Sequence, residues 1–239
     1  MYVFRYVHII NVTERACPIV GKGCENRMIF LRYESFKGYL RSYPVTAAIA
    51  AICLIYFFVS RITGMEAALM SGAFITFPQV DSWGLTEPWR YLTSIFLHLN
   101  FEHLFHNTVM LIIFAPPLEL IMRSKRYVWF YLLCGIGGNL LSALISNING
   151  EPHAAVGASG AIFGVFGAYF FLVLFRKQWL DPGSIKTVYI ILLIGLISSV
   201  ILNQVDFWGH LGGFITGFML YRFFDQIQMI KLQKRDHVN

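Results

Sequence analysis

The chain has 239 residues, of which 56% are hydrophobic and 13% charged, and its formal net charge is +6. Soluble domains carry about 25% charged residues, so half that share excludes an ordinary soluble domain and points to lipid. The placement of the positive charges marks membrane topology and attraction to anionic lipid, and no nucleic-acid partner is expected.

The first 43 residues hold seven Lys and Arg and read as a cytoplasmic segment, with Cys17 and Cys24 in a reducing compartment. No apolar core with a small-residue cleavage site stands in residues 1–27, so a signal peptide is not expected. Met28 opens an amphipathic lead-in (Ile29, Phe30, Leu31, Phe36, Tyr39, Leu40), which makes it a second candidate for the first residue of the protein.

Six apolar runs follow, each near the roughly 20 residues that a bilayer-spanning helix needs. The first comprises the 19 residues between Arg41 and Arg61. The second runs from about His103 to Met122 and contains Glu119. Tyr127–Gly150, Pro152–Phe175 and Thr187–Val205 lack Asp, Glu, Lys and Arg altogether. The sixth, Phe207–Tyr221, is the shortest and carries His210. Of the 19 Lys and Arg, only Arg61 and Arg90 fall on the far side of a six-span arrangement; the other 17 share one side with both termini. By the positive-inside rule that side is cytoplasmic.

The one long connection, residues 64–101, is rich in aromatics (Phe74, Phe77, Trp83, Trp89, Tyr91) and suits the outer interface. Within it, 94–99 has the composition of a short helix. Neither repeats nor flexible linkers divide the chain. The expected organisation is a cytoplasmic segment over 1–43, one six-helix domain over 44–224 and a cytoplasmic tail over 225–239. The expected class is an all-α membrane protein, a compact six-helix bundle with a long interfacial first loop.

Polar side chains inside spans are costly and become functional candidates. His103, His106 and Asn107 lie at the outer end of the second run. Ser159 lies a turn or two into the fourth, and His210 just inside the sixth. Topology alone brings these groups to one level. Gly157-Ala158-Ser159-Gly160 places a hydroxyl among small neighbours near a helix start, where free N–H groups and the dipole can stabilise an oxyanion. A serine needs a base, and neutral histidine is suited to that task. Gly157, Gly160, Gly164 and Gly167 form a small face on the fourth span; Gly209, Gly213 and Gly217 form another on the sixth. Such faces let membrane helices approach closely, which would make Ser159 and His210 neighbours. Taken singly, a membrane serine more often bonds its own helix, and a glycine face is more often plain packing. Asp206 reads as a loop residue before the sixth span. The cysteines form no recognisable metal set, and neither metal nor cofactor is expected.

From roughly Pro44 to Phe224 these pieces resemble the rhomboid intramembrane serine proteases. They are Trp89-Arg90 in the first loop, His98 through His103 to Asn107, Glu119 near the end of the second helix, Gly157-Ala158-Ser159-Gly160, and His210-Leu211-Gly212-Gly213 followed by Gly217. The resemblance implies a dyad without a third carboxylate, Ser159 as nucleophile and His210 as base. It implies an oxyanion hole of His103, Asn107 and the Ser159 N–H, shaped by Gly157. Trp89, Arg90 and Glu119 are implied to be structural supports, with Gly213 and Gly217 in the final-helix packing. Phe163 stands where many relatives have a tyrosine stacked on the histidine, and Gly209 replaces a common alanine. His106 matches no role in the family. The implied partners are single-pass or polytopic membrane-protein substrates, cut in their transmembrane segments from a pocket open to the outer face of a prokaryotic plasma membrane. A catalytically silent relative that escorts clients, or a small transporter, are the competing readings. The transporter lacks paired intramembrane carboxylates and an inverted repeat.

Overall fold

The computed structural model describes residues 29–30, 34–201 and 205–236, with side chains described through residue 227. Cys17, Cys24 and Met28 lie outside the described residues. The fold is an all-α membrane bundle. After the short α1 (Phe36–Ser42) come α2 (Pro44–Thr63), α3 (Met65–Gly72), α4 (Arg90–Thr93), α5 (Phe101–Met122), α6 (Ser124–Asn149), α7 (Ser159–Phe175), α8 (Pro182–Ile201) and α9 (Phe207–Asp236). Four of these, α2, α5, α6 and α8, have the length and apolarity to cross a membrane. Helix α7 has 17 residues, about 25 Å at 1.5 Å per residue, short of the roughly 30 Å hydrocarbon layer.

The reason lies in residues 152–158, which sequence pattern assigns to the fourth span. They instead form β2 (His153–Ala155), paired antiparallel with β1 (Phe74–Thr76) in the first loop, with Phe74 opposite Ala155. Gly157 then adopts φ +119°, a region open in practice only to glycine, and the helix starts two residues later. Ser159 is thus the first residue of α7, not a turn or two within it. The expected helix at 94–99 is likewise absent: those residues form turns, and the loop's helices are α3 and α4. Helix α9 continues through Asp236, past the expected boundary at 224.

Two devices fix the outer loop and the far end of α5. Glu119, 1% exposed, accepts from Val45 N (3.0 Å), Thr46 N (2.8 Å), Thr46 Oγ1 (2.7 Å) and Ser124 Oγ (2.7 Å). It caps the start of α2, where Pro44 occupies the first turn and the neighbouring N–H groups need acceptors. Arg90 does the converse at the end of α3, donating to the carbonyls of Ala73 (2.8 Å) and Met70 while pairing with Glu87. Thr93 and Trp89 take the carbonyls of Gly72 (2.8 Å) and Ser71 (3.2 Å). Four exposed-end carbonyls are satisfied this way, as a helix terminus in a low-dielectric setting demands. In α5, Pro116 supplies no N–H to Ile112, whose carbonyl instead accepts from Tyr39 Oη at 3.1 Å.

Helix α7 is the centre of the bundle. Ala161, Val165, Ala168, Tyr169 and Leu172 are each at most 1% exposed. Its glycines meet α9 backbone to backbone. A Cβ on Gly213 would fall 1.9 Å from the Gly160 carbonyl oxygen, and one on Gly217 2.0 Å from that of Gly164. At the opposite end Arg176 makes a two-pronged pair with the buried Asp225 (3.0 and 2.7 Å).

Candidate active site

Ser159 and His210 face one cavity of about 30 Å³, room for a water or two. Ser94, Asn139, Gly157, Gly160, Asp206 and Gly209 share its lining. Ser159 comes from the first turn of α7, whose leading N–H groups have no helical acceptors and carry the positive end of the dipole. His210 comes from the first turn of α9, 8% exposed. The close seam between those helices is what brings the two turns together. No hydrogen bond joins Ser159 Oγ to the His210 ring in this structure.

The imidazole is held from two directions. Phe163, one turn beyond Ser159, stacks on it with ring centroids 4.0 Å apart and planes at 13°. Ser199 Oγ on α8 lies 2.6 Å from His210 Nδ1 and 2.7 Å from the Gly195 carbonyl oxygen. Sequence reading singles out Phe163 but passes over Ser199, which is one of two adjacent serines in an otherwise apolar span. An intramembrane polar pair was the available signal.

His103 and Asn107 do not line this cavity. They abut Gly157 instead: a Cβ there would fall 2.6 Å from His103 Nε2 and Cε1 and 3.8 Å from Asn107 Nδ2. Glycine is required at 157 both for its φ and for this approach. Asn107 Nδ2 donates to the His103 carbonyl (2.9 Å), which uses one of the two amide protons and leaves the second. The Gly157 N–H is engaged by the Ser94 carbonyl at 2.8 Å. His98, fully buried, packs edge-on to His103 at 5.0 Å and bonds the Phe96 carbonyl through Nδ1 (3.1 Å). Burial, with some help from His103, pushes the His98 pKa down to about 4, so its ring is neutral. His106 is exposed on the outer surface of α5.

Asp206 does not bond the His210 side chain. Its carboxylate accepts from Ser142 Oγ (2.7 Å), from the Gly209 N–H (2.9 Å) as the cap of α9, and pairs with His153 Nε2 (3.2 Å). Burial works against that charge, but these bonds prevail and hold the carboxyl below its usual range. Asp206 thereby ties α9 to α6 and to β2 beside the cavity. Trp89, Arg90 and Glu119 stand away from the cavity in the two capping devices described above, and Gly213 and Gly217 lie in the α7–α9 seam. Among the described residues, no cluster of His, Cys, Asp and Glu is arranged to hold a metal ion.

A bundle of apolar helices, four of them long enough to cross a bilayer, with a serine at a helix start and a histidine on one small cavity, defines a polytopic membrane protein. Comparison with known proteins gives that class its family. The Rhomboid domain profile matches residues 85–225. The chain is 32% identical to "Putative rhomboid protease YdcA" of Bacillus subtilis (strain 168) over 192 residues, 80% of this chain and 94% of that protein. "Rhomboid protease GluP" of the same organism is 35% identical over 132 residues, 55% of this chain and 25% of that protein. "RHOMBOID-like protein 5" of Arabidopsis thaliana is 36% identical over 135 residues, 56% of this chain and 43% of that protein. The chain belongs to the rhomboid family of membrane proteases.

Proposed function

We propose that this protein is an active intramembrane serine endopeptidase that cleaves transmembrane segments of other membrane proteins through Ser159 and His210. The observation that carries the reading is the shared cavity: a hydroxyl at a helix start and an imidazole fixed by stacking meet in a space about as large as a water or two. In the reaction, His210 Nε2 takes the proton of Ser159 Oγ as that oxygen attacks the scissile carbonyl carbon. The tetrahedral oxyanion lies toward the free N–H groups of the first turn of α7. The free amide proton of Asn107 and the His103 ring, across Gly157, supply further donors. Histidine then returns the proton to the leaving amine, and water repeats the cycle on the acyl-enzyme. General-base contacts are commonly long in a resting site and tighten around the reacting group.

The glycines and the small Ala155 around the cavity favour a locally unwound segment of small residues over an intact helix. The charge distribution supports a topology with both termini in the cytoplasm and the cavity toward the outer face of a prokaryotic plasma membrane. Single-pass and polytopic proteins of that membrane are the substrates. Purified protein in detergent should label with a fluorophosphonate probe, and Ser159→Ala should abolish labelling without loss of fold. His210→Ala should lower cleavage of a transmembrane reporter by about 10⁴-fold. Equal labelling of the Ser159→Ala variant would remove Ser159 from the mechanism.

A further inference from the structure

Three features outside the dyad have the character of functional parts: the Asp206–His153–Ser142 cluster, the buried Tyr127 and Tyr131 hydroxyls, and Ser199. The first is a helix cap shared between elements, and nothing beside the second indicates a ligand. Ser199 touches the catalytic histidine itself.

Ser199 is 5% exposed and lies in the last described turn of α8, a helix made mostly of apolar side chains. Its oxygen makes two short contacts, 2.7 Å to the Gly195 carbonyl and 2.6 Å to His210 Nδ1. A hydroxyl has one proton, and a carbonyl oxygen can only accept. Both contacts are hydrogen bonds in one arrangement alone: Ser199 donates to Gly195, and Nδ1–H of His210 donates to Ser199. In that tautomer Nε2 carries a lone pair and no proton. The opposite tautomer would leave the Gly195 contact unmade and put the proton on the nitrogen that must receive one.

We propose that Ser199 is a positioning residue of the proteolytic site, accepting the His210 Nδ1–H and so fixing the imidazole in the tautomer whose Nε2 can serve as base. The inference rests on the dyad reading above. The role matches what a buried carboxylate does in a triad, with a neutral hydroxyl in place of the charge. The same stretch of α8 also backs the other support of the ring: a Cβ on Gly195 would lie 3.0 Å from Phe163 Cζ, so Gly195 touches the phenyl that stacks on His210. Face and edge of the imidazole are thus both referred to residues 195–199.

The test combines kinetics with a readout that needs no turnover. With ¹⁵N-histidine-labelled protein in detergent at about pH 8, where a free imidazole is neutral, the His210 ring resonances are assigned by their loss in His210→Asn. The wild type should show a protonated Nδ1 and an unprotonated Nε2; the reverse overturns the proposal whatever the activity. Ser199→Ala should lose that single tautomer and lower kcat about 10–100-fold with KM within about twofold. Ser199→Thr, which restores a hydroxyl, should recover kcat to within about threefold of wild type and guards against a merely misfolded alanine variant. Wild-type kcat in Ser199→Ala, or a loss carried wholly by KM, overturns it. A wild type that fails to label with the fluorophosphonate would instead defeat the dyad reading, and the tautomer measurement would still decide this one.

Discussion

Where α7 meets α9 the two backbones touch; where it meets α8 only a few side chains do. The first seam is built from Gly160, Gly164 and Gly167 against Gly209, Gly213 and Phe214, with hypothetical Cβ atoms 1.9–3.3 Å from facing carbonyl oxygens. Helix α8 meets α7 through Gly195 against Phe163 and meets α9 through Ser199 against His210. Helix α8 is also less enclosed than α2, α5 and α6: 22% of its apolar window is buried, against 33%, 50% and 44% of theirs. In lipid, helices gain little by hiding apolar side chains from one another, so close backbone contact and polar bonds carry association. The spacing of Ser159 and His210 is therefore set by the glycine seam, while the orientation of the histidine ring depends on the loosely held helix. One helix pair supplies distance and the other supplies direction.

The strongest way to break that division is Gly213→Ala. Its methyl would sit 1.9 Å from the Gly160 carbonyl oxygen and 2.7 Å from the carbonyl carbon, both backbone atoms that cannot rotate away. Overpacking in cores costs about 1–3 kcal/mol where side chains can adjust, and here they cannot. The expected loss is at least about 3 kcal/mol, with labelling of Ser159 abolished because the dyad is pulled apart. Thermal exposure of the buried Cys53 and Cys134 thiols, with Cys17 and Cys24 replaced by serine, measures it. An unchanged transition would mean that the seam has slack and that the spacing is set elsewhere.

The glycine seam was legible in the sequence because a four-residue glycine repeat within an apolar run has a direct geometric meaning. So was the membrane bundle, from run length and charge bias. The start of α7 was not, because residues 152–158 are as uncharged as any span, and what removes them from the helix is pairing with Phe74–Thr76, about eighty residues away. The partners of Arg90 were also illegible: they are backbone carbonyls of Met70 and Ala73, which every sequence offers everywhere. Ser199 was half legible. Its bond to Gly195 is the ordinary habit of a membrane serine, and only coordinates reveal the second bond to His210.

A smaller effect is expected at Glu119, which belongs to neither seam. Glu119→Ala would leave the Val45 and Thr46 N–H groups and the Thr46 and Ser124 hydroxyls without their acceptor. Each unsatisfied buried group costs about 1–3 kcal/mol, but the end of α2 can partly relax, so a loss of about 2–3 kcal/mol is expected. Glu119→Gln keeps one carbonyl acceptor and should lose roughly half as much. Because the dyad spacing does not pass through this cap, the folded fraction of either variant should label Ser159 at the wild-type rate. Slower labelling of the folded fraction would connect the cap to the seam.

The smallest effect should come from the outer face of α8. Ile197 is 47% exposed and lies two positions from Ser199 on the same helix, on the outside of the bundle. Truncating it exchanges contacts with acyl chains for contacts with acyl chains, so Ile197→Ala should change stability by no more than about 0.5 kcal/mol and labelling by less than about twofold. Ser199→Ala removes a single oxygen from that helix yet is expected to slow turnover far more. The pair of variants separates two accounts of α8. If both slow the enzyme alike, the helix acts as a whole through its packing; if only Ser199 matters, its influence reaches the histidine through one hydrogen bond at Nδ1.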